Sequence, residues 1–158
     1  MLLGKKRKLG RSIDRISIGE KLTLTEKIED KDLLLYLGLT NDANPLYIQH
    51  DYASQTPYEK PIVPAAMLTG IVTSAISKYL PGPGSHVLKQ NLSFPKPVYH
   101  YALMELHFEV KDIRHPEHLI VLSVNAVDEE GDTVLEGEMD VCPPYRLKSL
   151  NTATMDNF

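Results

Sequence analysis

The sequence predicts an α+β domain in which an antiparallel sheet packs against one long apolar helix, and three observations predict it. From Ala65 to Leu80 only Lys78 is charged, and it lies in the last turn. A helix apolar on nearly every side belongs inside a protein, and at about 24 Å this one is too short to span a bilayer. Several other segments alternate apolar and polar residues with a period of two, as half-buried strands do. Clusters rich in Gly, Pro, Asp and Glu separate those segments. One helix with one apolar sheet face to cover is a two-layer arrangement.

The elements follow in order. Segment 20–28 places Leu22 and Leu24 on one face and Lys21, Thr23 and Thr25 on the other. Asp30 is expected to cap a short helix carrying Leu33, Leu34 and Leu37, with Gly38 as its stop. Thr40-Asn41-Asp42-Ala43-Asn44-Pro45 is dense in residues that bend the backbone, so a loop belongs there. A short helix follows over 50–55, and Pro57, Pro61 and Pro64 keep the next stretch extended. Pro64 suits the first helical position, and Pro81-Gly82-Pro83-Gly84 ends the helix. Strands are expected at 87–94 (Leu88, Leu92 and Phe94 on one face), 103–111, 119–127 and 133–141. Asp128-Glu129-Glu130-Gly131-Asp132 turns between the last two, and Pro143-Pro144 stops the final strand. The expected organisation is a loosely ordered basic leader at 1–17, one domain over 18–148 and a flexible tail at 149–158.

A length of 158 residues suits one domain with a real core. The net charge of −4 argues against general nucleic-acid binding. The run Lys5-Lys6-Arg7-Lys8, continued by Arg11 and Arg15, reads first as a solvated terminus and second as a contact for anionic lipid or RNA. Cys142 is the only cysteine, so no internal disulfide forms and a reducing compartment is expected. No apolar stretch reaches membrane-spanning length, and no secretory signal follows the basic run. A cytoplasmic protein is the expectation.

Two segments could carry chemistry. Taken alone, Asp42 and Asn44 read first as turn formers, and second as a general base with its support. The helix start at Pro64-Ala65-Ala66 reads first as tight packing. Its second reading is a set of free N–H groups that hold an anion or a polarised carbonyl.

Together these segments resemble the MaoC-like hotdog hydratases, which include the (R)-specific enoyl-CoA hydratases and related dehydratases. The resemblance runs from about residue 18 to residue 142. Thr40-Asn41-Asp42-Ala43-Asn44-Pro45-Leu46 is similar to that family's Ser-Gly-Asp-x-Asn-Pro-[Ile/Leu]-His loop. Asp51-Tyr52-Ala53 and Pro61-Ile62-Val63 lead into the central helix, with Met67-Leu68 near its start. Leu80-Pro81-Gly82-Pro83-Gly84-Ser85 follows it. Gln90-Asn91-Leu92-Ser93-Phe94-Pro95-Lys96-Pro97-Val98-Tyr99 resembles the family's Gln-x-Leu-x-Phe-x-x-Pro-Val.

The resemblance implies a hotdog fold and the addition of water to a trans-2-enoyl thioester in fatty-acid metabolism, or the reverse. It further implies an acyl-CoA or acyl-carrier-protein substrate and a homodimer or higher oligomer with its site between subunits; no cofactor and no metal are expected. Asp42 matches the catalytic Asp and Asn44 the loop Asn. The family's His falls on Tyr47, a phenol with an ordinary pKa near 10 that can orient water but is a poor base at neutral pH. The family's His-Gly-Met at the helix start reads Ala65-Ala66-Met67, and its Gly-Asp after Pro-Val is replaced by His100-Tyr101-Ala102. His50 is the nearest substitute histidine in sequence. His107, His115 and His118 are not expected to form a metal site, because zinc takes three or four converging ligands. An enoyl-thioester hydratase, a non-catalytic acyl-thioester-binding subunit and a hotdog thioesterase are all compatible with this fold. Retention of Asp42, Asn44 and Pro45 favours the first, and Tyr47 favours the second.

Overall fold

A computed structural model describes residues 8–147. Its strands are β1 (Lys21–Lys27), β2 (His86–Ser93), β3 (Leu103–Arg114), β4 (Leu119–Val127) and β5 (Thr133–Cys142). Its helices are α1 (Asp30–Thr40), α2 (Pro45–Ile48), α3 (His50–Ala53) and α4 (Ala65–Lys78). The five strands make one antiparallel sheet in the order β1-β3-β4-β5-β2.

The period-two segments pair as their patterns require. Leu22 lies opposite Phe108, Phe108 opposite Val124 and Leu122 opposite Met139, so one face of the sheet is continuously apolar. α4 covers that face, and Met67, Leu68, Val72, Ala75 and Ile76 join the core with Leu106, Phe108, Leu122 and Met139. The α+β expectation with a central helix therefore holds.

Several details differ. Glu29, not Asp30, caps α1: Glu29 and Asp32 form a reciprocal capping box, and Asp30 is the first helical residue. Gly38 does not end α1, which continues to Thr40 and stops at Asn41 in the left-handed conformation (φ 56°). Leu34 points outward and is 68% exposed, because Leu33 and Leu37 already fill the side of α1 that faces the core. Leu88 does not share the core side of β2 with Leu92. A bulge between Val87 and Lys89 shifts the alternation by one, so Val87 and Leu92 pack inward and Leu88 faces out.

α4 is buried on one side only. Ala66, Gly70 and Ser77 are exposed along the opposite stripe, with Thr69 and Thr73 half-buried between them, and Ile71 is only half-buried. The leader boundary at residue 18 also moves. Ile13 and Ile16 are buried in the core, and the N–H groups of Gly10 and Arg11 donate to the carbonyls of Pro83 and Pro81. Residues 8–17 thus pack on the domain through apolar side chains set three apart in a tight turn. The tail at 149–158 lies outside the described residues.

Candidate active site

The segment after α1 is built from side chains that bond their own backbone. Asp42 Oδ1 accepts from the Asn44 N–H (3.1 Å), and Asn44 Oδ1 accepts from the Leu46 N–H (3.0 Å), which caps α2. Pro45 occupies the first position of α2, where its missing N–H costs nothing. One oxygen of Asp42 is thereby spent on holding the loop. Among the described residues, Oδ2 carries no hydrogen bond and is left for another partner. Asp42 and Tyr47 are half-buried, Asn44 is exposed, and all three lie on this one turn.

That turn is tied to the start of α4. The Leu46 carbonyl accepts from Ile62 N–H (3.1 Å), and Val63 N–H donates to the Val98 carbonyl (2.8 Å). The strip 61–63 thus links the Asp42 loop, the segment after β2 and the first turn of α4. At that first turn Met67 N–H donates to the Pro64 carbonyl (3.0 Å), while the N–H groups of Ala65 and Ala66 have no acceptor among the described residues. Ala65 and Ala66 are exposed with methyl side chains, so an incoming oxygen can reach those N–H groups. The third residue of the motif, Met67, differs from these two: its N–H is engaged and its side chain is buried at 8% exposure.

A groove of about 560 Å³ begins at Ala66 and follows the open stripe of α4 past Thr69, Gly70 and Thr73, with Leu88 and Gln90 of β2 as its other wall. Thr69 and Thr73 turn their hydroxyls back onto the carbonyls of Ala65 (3.1 Å) and Thr69 (2.9 Å), so these hydroxyls are engaged within the helix. β2 is an edge strand, and among the described residues its outer backbone side has no neighbour in the sheet.

The other histidines are scattered. His50 is exposed at the head of α3, near enough to Asp30 to act on it electrostatically. His107 pairs with Glu105 (2.8 Å), His115 lies 3.9 Å from Asp14, and His118 stacks on Tyr145. They converge on no common point. Asp128, Glu130 and Asp132 do converge, but the Lys96 ammonium pairs with all three at 2.9, 3.0 and 2.6 Å. Those carboxylates hold the Lys96 pKa above its ordinary value, so a cation already fills the cluster.

The sequence reading overlooked a polar cluster at the start of α1. The Tyr101 hydroxyl donates to Asp30 Oδ2 (2.6 Å), and His100 Nδ1 lies 3.2 Å from Asp30 Oδ1. The Tyr101 hydroxyl, then desolvation acting against it, then His100 leave the Asp30 carboxyl below its usual range. Tyr101 stands with φ 65° in a conformation that glycine adopts freely. The available signal was the replacement of Gly-Asp by His100-Tyr101-Ala102.

Comparison with known proteins gives one consistent result. Residues 15–130 match the family model described as MaoC like domain. The (R)-specific enoyl-CoA hydratase of Rhodospirillum rubrum is 30% identical over 131 residues, covering 83% of this chain and 90% of that protein. The enzyme of the same name from Aeromonas caviae is 28% identical over 133 residues, covering 84% and 99%. The unliganded R-hydratase of Pseudomonas aeruginosa superposes with a TM-score of 0.78 at 25% identity, covering 89% of this chain and 94% of that one.

Proposed function

The chain belongs to the MaoC-like family, and from that premise we propose that it adds water to trans-2-enoyl thioesters, forming (R)-3-hydroxyacyl thioesters, or runs the reverse dehydration. The observation that carries this reading is the Asp42 loop, where Oδ1 is used to build the turn, tied through Leu46 and Ile62 to the start of α4; among the described residues Oδ2 and the N–H groups of Ala65 and Ala66 have no hydrogen-bond partner.

In the forward direction Asp42 takes a proton from water as the water oxygen bonds to C3. The double-bond electrons move toward C2, and charge develops on the thioester oxygen. The N–H groups of Ala65 and Ala66 hold that charge. The proton on Asp42 then passes to C2, so one water is added in all. Tyr47 orients the water through its hydroxyl, in place of an imidazole that would share the proton. The acyl carrier is coenzyme A or a carrier protein, and the setting a reducing cytoplasm. No described helix is long and apolar enough to cross a membrane.

A homodimer is part of this proposal. The open β2 edge, the outward Leu88 and the small-residue stripe of α4 form one continuous surface that a second copy would cover.

The test is turnover of crotonyl-CoA. Asp42→Asn keeps the side-chain shape but cannot take the proton, and should lower kcat about 10²–10⁴-fold. Tyr47→His should raise it, because imidazole exchanges protons near neutral pH. Activity unchanged by Asp42→Asn would move the chemistry elsewhere. The replacement of the family's histidine by Tyr47 favours a second reading, a subunit that binds acyl thioesters without turning them over. Inactivity of both wild type and Tyr47→His, with acyl-CoA binding intact, would select it.

A further inference from the structure

We propose that a second groove, at the C-terminal end of α4, binds the 3′-phosphoadenosine diphosphate end of a CoA thioester, an assignment that rests on the acyl-thioester reading above. The groove holds about 600 Å³, a volume suited to a small ligand. Among the described residues, Lys8, Arg11, Arg15 and Arg146 line it and no carboxylate does. In a chain of net charge −4, four cations converging from opposite ends of the sequence make a local field of the opposite sign.

The cations differ in how firmly they are held. Arg11 is fixed by Glu20 at 2.6 and 2.9 Å and by its own N–H on the Pro81 carbonyl. Arg146 is only loosely engaged, 3.8 Å from Asp14 with Nε 3.4 Å from Ser12 Oγ. Lys8 and Arg15 have no ion pair among the described residues. An anion therefore meets three cations with little competing pairing, and guanidinium groups match phosphate oxygens in pairs. Tyr145 supplies the other half of a nucleotide site. Its ring stacks on His118 (centroids 3.9 Å apart, 11° between planes) and remains 62% exposed, a flat surface on which a base can lie. A compact groove with one aromatic platform suits a nucleotide better than a long polyanion or a folded acidic protein, each of which needs a wider face.

Symmetry connects this groove to the thioester site. α4 lies on the sheet, so a two-fold axis normal to the sheet and passing beside β2 reverses its direction in the second copy. The C-terminal end of one α4 then lies beside the N-terminal end of the other. A thioester held at Ala65 and Ala66 of one subunit would direct its pantetheine arm toward the cationic groove of its partner.

Calorimetric titration of the full-length protein with CoA, dephospho-CoA, 3′,5′-ADP and ADP tests this directly, with or without turnover. The wild type should bind CoA and 3′,5′-ADP more tightly than the ligands lacking the 3′-phosphate, and more weakly as salt rises. The double variant Arg15→Glu/Arg146→Glu should weaken CoA binding by about tenfold or more. Tyr145→Ala should weaken CoA and 3′,5′-ADP together. In the hydration assay the double variant should raise KM for crotonyl-CoA and erase its advantage over crotonyl-pantetheine. CoA affinity unchanged in the double variant would overturn the proposal. So would binding of a short RNA or an acidic carrier protein at this face with no nucleotide bound. Because titration reads the groove and Asp42→Asn reads the chemistry, either proposal can fail alone.

Discussion

The two ends of α4 are made differently. At its start the N–H groups of Ala65 and Ala66 have no acceptor among the described residues, and the side chains of these two residues are exposed methyl groups. At its finish Leu80 is buried at 3% exposure, and the segment carrying Gly10 and Arg11 crosses the chain at Pro81–Pro83 with two backbone hydrogen bonds. One end gives up packing and keeps its polar groups available. The other is closed by backbone and ringed by cations. The lesson is that one helix anchors the fold through its finish and one buried face, while its start stays free for chemistry.

The largest effect should come from breaking the buried face. Ile76 is 1% exposed near the finish, and Ile76→Ala should cost about 2–5 kcal/mol in chemical denaturation, more than the same change at half-buried Ile71. Closure at Pro81–Pro83 can be attacked next. A Cβ on Gly10 would collide with the Pro81 carbonyl oxygen and come within 2.7 Å of the Gly82 carbonyl carbon, neither of which can yield without backbone movement. Gly10→Ala should therefore destabilise by about 1–3 kcal/mol.

The open stripe predicts the opposite sign. A Cβ on Gly70 meets nothing within 4 Å, so Gly70→Ala should stabilise the isolated chain by about 0.5–1 kcal/mol through helix propensity. If a second copy packs on that stripe, the same change should weaken self-association in sedimentation.

The smallest effect belongs to the exposed Asp30 cluster. Its lowered carboxyl pKa stabilises the fold fully above about pH 4, the ordinary range of Asp, and the contribution disappears as pH falls through the folded value. The gap in thermal midpoint between wild type and Asp30→Asn should thus be present at neutral pH and close in acid.

By itself the sequence determined the α+β class, the central helix, the positions of β3, β4 and β5 and the loop at Asp42. Each rests on short-range chemistry: a period of two, an apolar run between prolines, and Asn and Asp side chains that bond their own backbone. Tertiary structure alone decided which way the ambiguous residues face. Leu88 turns outward because a bulge resets β2, and Leu34 does so because Leu33 and Leu37 already fill the core side of α1. Met67 turns inward, with its side chain in the core and its N–H on the Pro64 carbonyl. The cationic groove and the Asp30–Tyr101 bond join residues more than 60 positions apart. No local pattern encodes such pairs; they exist only once the sheet brings distant segments together.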